Sequence, residues 1–583
     1  MGRGDGTIAC YQCFAPMGRG DGTIAGYQCF APMGRGDGTI AGYQCFAQMG
    51  RGDGTITGNQ YVPDRARFFP FDKYNFGKCN TFAMMNPLKK LAGQTAIYGL
   101  SSVLGRLLGY MLVPVYTRVF LPGEYGTVSV FYAYAAFLTV ILTYGMETAF
   151  FRFSENETDK AKVYSTAMIS LIFSSVVFLF LTSFFARDIA GWMDYASHPE
   201  YVVWFAWFLG LDALSKIPFA RLRAQNKALR FAAINLAGIM VNFGLNLFFL
   251  LFCPYVLNHE SWRALHGFIH FVYRPDWGIE YIFISNLIAS SLTLVLLIPQ
   301  FAGMKWKPDA KLLKTMLIYA FPLLFAGMAG MVNETFDRIL LRYLLPKDIA
   351  SYQVGIYSAC YKISILMTIF IQAYKYAAEP FFFAAAKEKD AKILYARIMD
   401  YFIIVVSFIF LATMVYLDDF ILRYLIGKKY WEGRGVIPIL MMANLFLGVY
   451  YNLAIWYKLT SKTMWGAWLS LIGAVITLAL NFWWIPLGAD HLIHGYLGSA
   501  WATFICYGTM MVISYLAGQQ FFPVNYNLNR FFGYLLLAVL LYAVSVWVVP
   551  DGRVLRILFH TLLLALFAAV AWLVEKPRLA ASR

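Results

Sequence analysis

The sequence predicts an all-α, polytopic membrane protein of about fourteen transmembrane helices, two pseudo-repeated six-helix bundles plus two C-terminal helices. Three observations predict this. Of 583 residues, 60% are hydrophobic and only 14% are charged, where a soluble domain carries about 25% charged residues. The apolar mass falls into separate runs of about 18 or more residues, each long enough to cross a hydrocarbon core about 30 Å thick. Lysine and arginine collect in alternate loops, the pattern of cytoplasmic connections in membrane proteins.

The predicted spans are 94–119, 125–151, 163–186, 200–220, 230–252, 279–301, 315–344, 350–376, 396–417, 434–457, 464–486, 495–517, 530–549 and 555–574. Lys89 and Lys90 precede the first. Arg152, Lys160 and Lys162 follow the second, Arg221, Arg223, Lys227 and Arg230 the fourth, and Lys305, Lys307, Lys311 and Lys314 the sixth. Lys387, Lys389 and Lys392 follow the eighth, and Lys576 and Arg578 close the chain. The loops 120–124 and 487–494 carry no Lys or Arg, while 418–433 breaks the pattern with Arg423, Lys428 and Lys429. The bias predicts both termini on the cytoplasmic side, as an even helix count requires.

The expected divisions are a repetitive tail at 1–84, an N-terminal six-helix bundle at 85–301, a C-terminal one at 302–520, and two additional helices with a tail at 521–583. The tail repeats MGRGDGTI from Met1, Met17, Met33 and Met49 with almost no divergence. Its period is too short and too Gly-rich for a solenoid, and we expect disorder or a translation start nearer Met84 or Met85. Its RGD at Arg3–Asp5 reads as part of the repeat, and its C-x-x-C at Cys10–Cys13 as a chance of one copy; neither a disulfide framework nor a metal site is expected. The halves echo each other: IYG at Ile97 leads to RVFLPGEYG at Arg118, and IYA at Ile318 to RYLLPKDIA at Arg342, so that Pro122 and Pro346 lie 224 residues apart. Parallel repeats of this kind are a transporter signature, with the path between the halves.

Each ionisable residue at helix centre costs about 2.5–3.5 kcal/mol on insertion scales and is expected to face a bundle interior or an aqueous cavity. Arg106, Asp212, Lys216, Glu334, Asp337, Arg338 and Lys362 fall inside predicted helices, with Glu147 and Lys375 near helix ends. Two readings stand. Asp212 with Lys216, and Glu334 with Arg338, have the i,i+4 spacing of structural ion pairs. Alternatively, Arg106, Lys362, Arg338 and Lys216 line a cationic cavity for an anionic head group, with Glu334, Asp337 and Glu147 as sites for a coupling proton or Na⁺. Lys375 has the option of snorkelling to the interface.

No H-E-x-x-H, P-loop or G-x-S-x-G motif occurs, and the seven His are mostly in loops, so no enzyme, cofactor or metal is expected. The net charge of +16 is accounted for by the basic loops, and nucleic acid is not an expected partner. The loop 254–278 lacks a convincing acid–base set.

A series of short motifs then resembles, in order, the polysaccharide-biosynthesis, oligosaccharide-flippase branch of the multidrug/oligosaccharidyl-lipid/polysaccharide exporter superfamily. These are RVFLPGEYGTVSV (Arg118–Val130), GMETAFFRF (Gly145–Phe153), RAQNKALRFAAIN (Arg223–Asn235), FPLLFAGMAGMVNETFDRILL (Phe321–Leu341), VGIYSACYKIS (Val354–Ser364) and EPFFF (Glu379–Phe383). KLTSKT (Lys458–Thr463), NFWWIPLGA (Asn481–Ala489) and GQQFFPV (Gly518–Val524) continue the order. The resemblance implies a V-shaped pair of bundles in a bacterial inner membrane. It implies flipping of an undecaprenyl-pyrophosphate-linked oligosaccharide of the O-antigen, lipopolysaccharide type. The implied partners are the lipid-linked oligosaccharide, membrane lipids, and a glycan polymerase and glycosyltransferases. A drug/cation antiporter of the same superfamily, a membrane glycosyltransferase or polymerase, and a structural scaffold are the competing classes.

Overall fold

The computed structural model describes residues 27–29, 45–47, 99, 101, 103–157, 159–386, 390–487 and 495–581. The chain divides into two units, Met1–Ala83 and Met84–Arg583. In the first, Tyr27–Cys29 (β1) and Cys45–Ala47 (β2) pair antiparallel, with Gln28 opposite Phe46; they come from successive copies of the repeat. The C-x-x-C, the RGD at Arg3–Asp5, Met84 and Met85, and loop lysines Lys89, Lys90, Lys387 and Lys389 lie outside the described residues.

The second unit is helical. Helix α1 runs over 103–111 and, past a turn at Leu112, continues as Val113–Val119. There follow α2 (Pro122–Thr143), α3 (Lys160–Phe184), α4 (Pro199–Ala224), α5 (Ala228–Leu247), α6 (Glu280–Leu297) and α7 (Ala310–Leu344). The remainder are α8 (Lys347–Ala385), α9 (Ala391–Val415), α10 (Val436–Leu453), α11 (Met464–Trp484), α12 (Gly495–Phe521), α13 (Leu528–Trp547) and α14 (Arg553–Ala581). Among the described residues, 13 helical spans, α2 to α14, are long and apolar enough to cross a membrane. With α1, these occupy the fourteen expected spans.

Local chemistry sets the boundaries. Pro122 opens α2, where its missing N–H costs nothing, and Glu124 accepts the Leu121 N–H at 2.8 Å. Pro346 caps α8 at the equivalent point of the second half. Asp159 and Asp309 cap α3 and α7 with their side chains. The second expected span, 125–151, proves to be two helices, because Tyr144 (φ 33°) and Gly145 (φ 73°) are left-handed; a short helix, Met146–Asn156, follows. A Cβ at Gly145 would lie 3.1 Å from the Ala320 carbonyl oxygen, so the break admits α7 against α2. The loop expected at 254–278 contains a helix of its own, Arg263–Val272.

The halves meet most closely along α2 and α8. A Cβ at Gly126 would stand 1.9 Å from the Ser351 carbonyl oxygen, and one at Gly355 would stand 1.8 Å from that of Pro122. Only glycine fits either position, as at close helix–helix crossings in membranes. Around this seam, Lys347 reaches Asp194 at 2.6 Å, Tyr134 donates to Tyr343 at 2.8 Å, and Arg118 donates to the Tyr424 carbonyl at 2.9 Å. The Gly427 N–H donates to Thr117 Oγ1 at 3.0 Å. These contacts come from the junctions after α1, α3, α7 and α9, which alternate along the chain with the basic loops after α2, α4, α6 and α8; the junction after α9 is the basic exception at 418–433.

Candidate substrate cavity between the helical halves

A cavity of about 670 Å³ lies between the halves, lined by α1, α2, α4, α5 and α6 from the first and by α7 and α8 from the second. Helical periodicity builds each wall. From α1 come Gly105, Arg106, Gly109 and Tyr110; from α8, Ser358, Tyr361, Lys362 and Ile365. Gly105 keeps α1 close to α5, since a Cβ there would meet Ile239 at 2.6 Å.

Five of the seven residues singled out from sequence as substrate or ion sites line this space: Arg106, Lys216, Glu334, Arg338 and Lys362; Asp212 does too. Four cations and two carboxylates leave a formal excess of two positive charges. The i,i+4 pairs allowed by spacing are not close ion pairs here. Asp212 and Lys216 form no ion pair within 4 Å, and Arg338 takes Asp337 as its partner at 3.0 Å instead of the Glu334 carboxylate. Arg338 still donates to the Glu334 backbone carbonyl at 3.0 Å, and its guanidinium lies 4.2 Å over the Tyr361 ring. Asp337 is completed by the Arg338 N–H at 2.8 Å and the Tyr357 hydroxyl. Among the described residues, none of Arg106, Lys216 and Lys362 forms an ion pair within 4 Å.

Two expected ion-coupling residues sit elsewhere. Asp337 is buried behind the wall, held by Arg338 and Tyr357. Glu147, in the short helix after α2, pairs with Arg223 at the end of α4. Neither carboxylate lines the cavity: Asp337 holds the lining Arg338 from behind, and Glu147 holds Arg223 outside it, which leaves Glu334 and Asp212 as the lining acids among the described residues. Lys375 lies over the Tyr451 ring at 4.7 Å, close to the Lys458–Glu379 pair, and is not part of the cavity lining.

Reading the charges alone missed a second set of lining residues, which is neutral and polar. Asn235, Asn242 and Asn286 join Tyr110, Tyr132 and Ser290 on the walls of the first half. Asn286 donates to Tyr132 at 2.6 Å. Asn242 accepts from Asn246 at 3.0 Å, which in turn accepts from Tyr116 at 2.9 Å. The hydroxyls of Tyr110 and Ser358 are buried without a protein partner. A signal existed in the sequence: Asn235, Asn242 and Asn246 recur at i, i+7 and i+11, one face of an otherwise apolar helix. The arrangement offers fixed cations for a polyanion and amides and hydroxyls for a polyhydroxylated group.

Outside the membrane, Asp194 is held below the usual carboxylate range, first by its hydrogen bond to Lys347 and further by Arg342. Asp309 is lowered likewise, first by its bond to Lys162.

Comparison with known proteins bears on both fold and family. Residues 91–256 match the family described as polysaccharide biosynthesis protein. No curated protein sequence matches the chain. The fold is similar to that of a lipid II flippase, MurJ, in its inward closed conformation, at a TM-score of 0.59 and 13% identity, covering 81% of this chain and 98% of that one. It is also similar to a multidrug resistance MATE family transporter of the MOP superfamily. The inward-facing form gives TM-score 0.53, 13% identity and coverage of 71% and 94%. The outward-facing form gives 0.52, 12%, and 74% and 95%. The first match supports the family read from the sequence motifs over residues 91–256, and the others support the all-α fold.

Proposed function

We propose that this membrane transporter moves an undecaprenyl-pyrophosphate-linked oligosaccharide, or a related polysaccharide precursor, across the bacterial inner membrane by alternating access, with both termini cytoplasmic. The observation that carries this reading is the cavity between the halves, with Arg106, Lys216 and Lys362 facing it free of close counter-ions. Its volume of about 670 Å³ lies in the range of about 300–1,000 Å³ that holds a compact polar ligand. Each unsatisfied sugar hydroxyl costs about 4–8 kcal/mol in an alkane-like medium; the amides and hydroxyls of α5 and α6 offset that cost, while the prenyl chain stays in lipid. Arg106, Lys362, Lys216 and Arg338 attract the pyrophosphate, and Glu334 carries the coupling proton or Na⁺. Membrane potential adds about 2.3 kcal/mol per charge per 100 mV. A glycan polymerase and glycosyltransferases are the partners this role implies.

Arg106→Ala and Lys362→Ala are expected to abolish surface glycan in a complementation assay while leaving folded protein in the membrane. Normal glycan from both variants would remove the assignment. The second reading, a drug/cation antiporter, is favoured by Asp212 and Glu334 on the same walls. It predicts efflux of a cationic dye that Asp212→Asn and Glu334→Gln abolish, where the glycan reading predicts no dye transport.

A further inference from the structure

The helix Arg263–Val272 joins α5 to α6 on the face of the protein opposite the basic loops, and it carries three distinct stripes. Leu265, Ile269 and Val272 form the first, turned toward the protein. Ile269 is 0% exposed and belongs to the core with Cys253 and Val256, and His266 fastens the helix by bonding the Val256 carbonyl at 2.9 Å. Ala264, Phe268 and Phe271 recur at i, i+4 and i+7 and form the second. Phe268 is 58% exposed and Phe271 89%. Arg263 and His270, at i and i+7, form the third, with Arg274 just past the helix end; all three are exposed. Glu260 and Asp276 are the exposed acids at either end.

One stripe packed on protein, one bare and aromatic, and one basic is the division of an amphipathic helix lying in a bilayer interface. The end of the preceding helical segment is apolar and exposed as well. Leu251 and Tyr255 are exposed there, and Phe252 meets Trp262 at 6.3 Å between ring centroids. Tryptophan at such a junction is the residue expected at headgroup level.

We infer that Arg263–Val272 is an interfacial anchor: Trp262, Phe268 and Phe271 enter the leaflet opposite the basic loops, and Arg263 and Arg274 bind the phosphates of anionic phospholipid headgroups. The helix is about 15 Å long and is joined through residues 273–279 to α6, whose Asn286 and Ser290 line the cavity. The anchor therefore ties a cavity wall to the membrane surface. This inference is independent of which substrate the cavity takes.

The test uses the full chain in lipid nanodiscs, with single nitroxide labels introduced by Phe268→Cys, Phe271→Cys and His270→Cys in a background free of other cysteines. Collisions with oxygen and with an aqueous nickel chelate report depth. Labels at 268 and 271 are expected about 5–10 Å below the phosphates, favouring oxygen, with the label at 270 favouring the chelate. In phosphatidylglycerol discs, Arg263→Gln with Arg274→Gln is expected to bring the label at 271 outward, an effect absent in phosphatidylcholine discs. Chelate access at 268 and 271 equal to that at 270 would overturn the proposal by placing the helix in water. Protection of 271 from both reagents would overturn it in favour of a protein partner. An unchanged depth in Arg263→Gln/Arg274→Gln would remove the headgroup part.

Discussion

Gly355→Ala adds a single methyl group at the closest approach of the two halves. The new Cβ would stand 1.8 Å from the Pro122 carbonyl oxygen and 2.6 Å from its carbon, where ordinary contact begins at 3.4 Å. The obstacle is helix backbone, which cannot rotate aside as a side chain can, so α2 and α8 must part by about 1.6 Å, the difference between 3.4 and 1.8 Å. Overpacking of this kind costs about 1–3 kcal/mol, and the strain falls only on the conformer in which this seam is closed. The population of that conformer relative to an opened one therefore drops by about 5- to 150-fold. The Lys347–Asp194 and Tyr134–Tyr343 contacts beside the seam open with it. Electron–electron distance measurements between labels at Asp188 and Asp348, both exposed, should show the wild-type distance give way to a longer one. Gly126→Ala, facing the Ser351 carbonyl, should do the same. An unchanged distance distribution in both variants, with normal thermal stability, would refute the claim that glycine-to-backbone contact holds the halves together.

The remaining predictions concern charges. Asp194 has its carboxyl lowered by Lys347 in the folded chain, so its contribution is present above the ordinary carboxylate value of 3.8 and fades as pH falls below it. Labels at Asp188 and Asp348 should therefore report opening in acid, and Asp194→Asn should show the open distance already at neutral pH. Asp419, buried in the turn Leu417–Ile421 beyond α9, accepts from Arg556 Nε of α14 at 2.9 and 3.0 Å. Arg556→Gln leaves the buried carboxylate with only the His560 ring, 3.4 Å away, where losing one partner of a fully buried pair costs about 3–5 kcal/mol. Because the Arg556 side chain is 35% exposed, the low end is expected. Thermal unfolding in detergent should show Asp419→Asn/Arg556→Gln losing less than the sum of the two single changes.

Much of this architecture is a property of one dimension. Runs of apolar residues near twenty long, Pro122 and Pro346 at equivalent junctions, and Asp159 and Asp309 before helices are local features, so the positions of the apolar spans were legible in the sequence, although α8 runs on to Ala385 and α14 to Ala581, past their expected ends at 376 and 574. So was the presence of a polar interior: an Arg106 or Lys362 in mid-helix is too costly against acyl chains. The break at Tyr144–Gly145 was not legible, because Gly145 is left-handed only where α7 presses on it. Nor did spacing decide the counter-ions. Glu334 and Arg338 stand one turn apart, but Tyr357 of α8 anchors Asp337 within reach of Arg338, and burial favours the pair that is fully hydrogen-bonded. Sequence by itself determined where the long apolar spans lie and which of them carry charge, because hydrophobic length and insertion cost are summed along the chain. Tertiary structure alone decided which charges face one cavity, which asparagines join them, and which are spent on neighbours, because those choices depend on how separate helices pack and not on spacing along one of them.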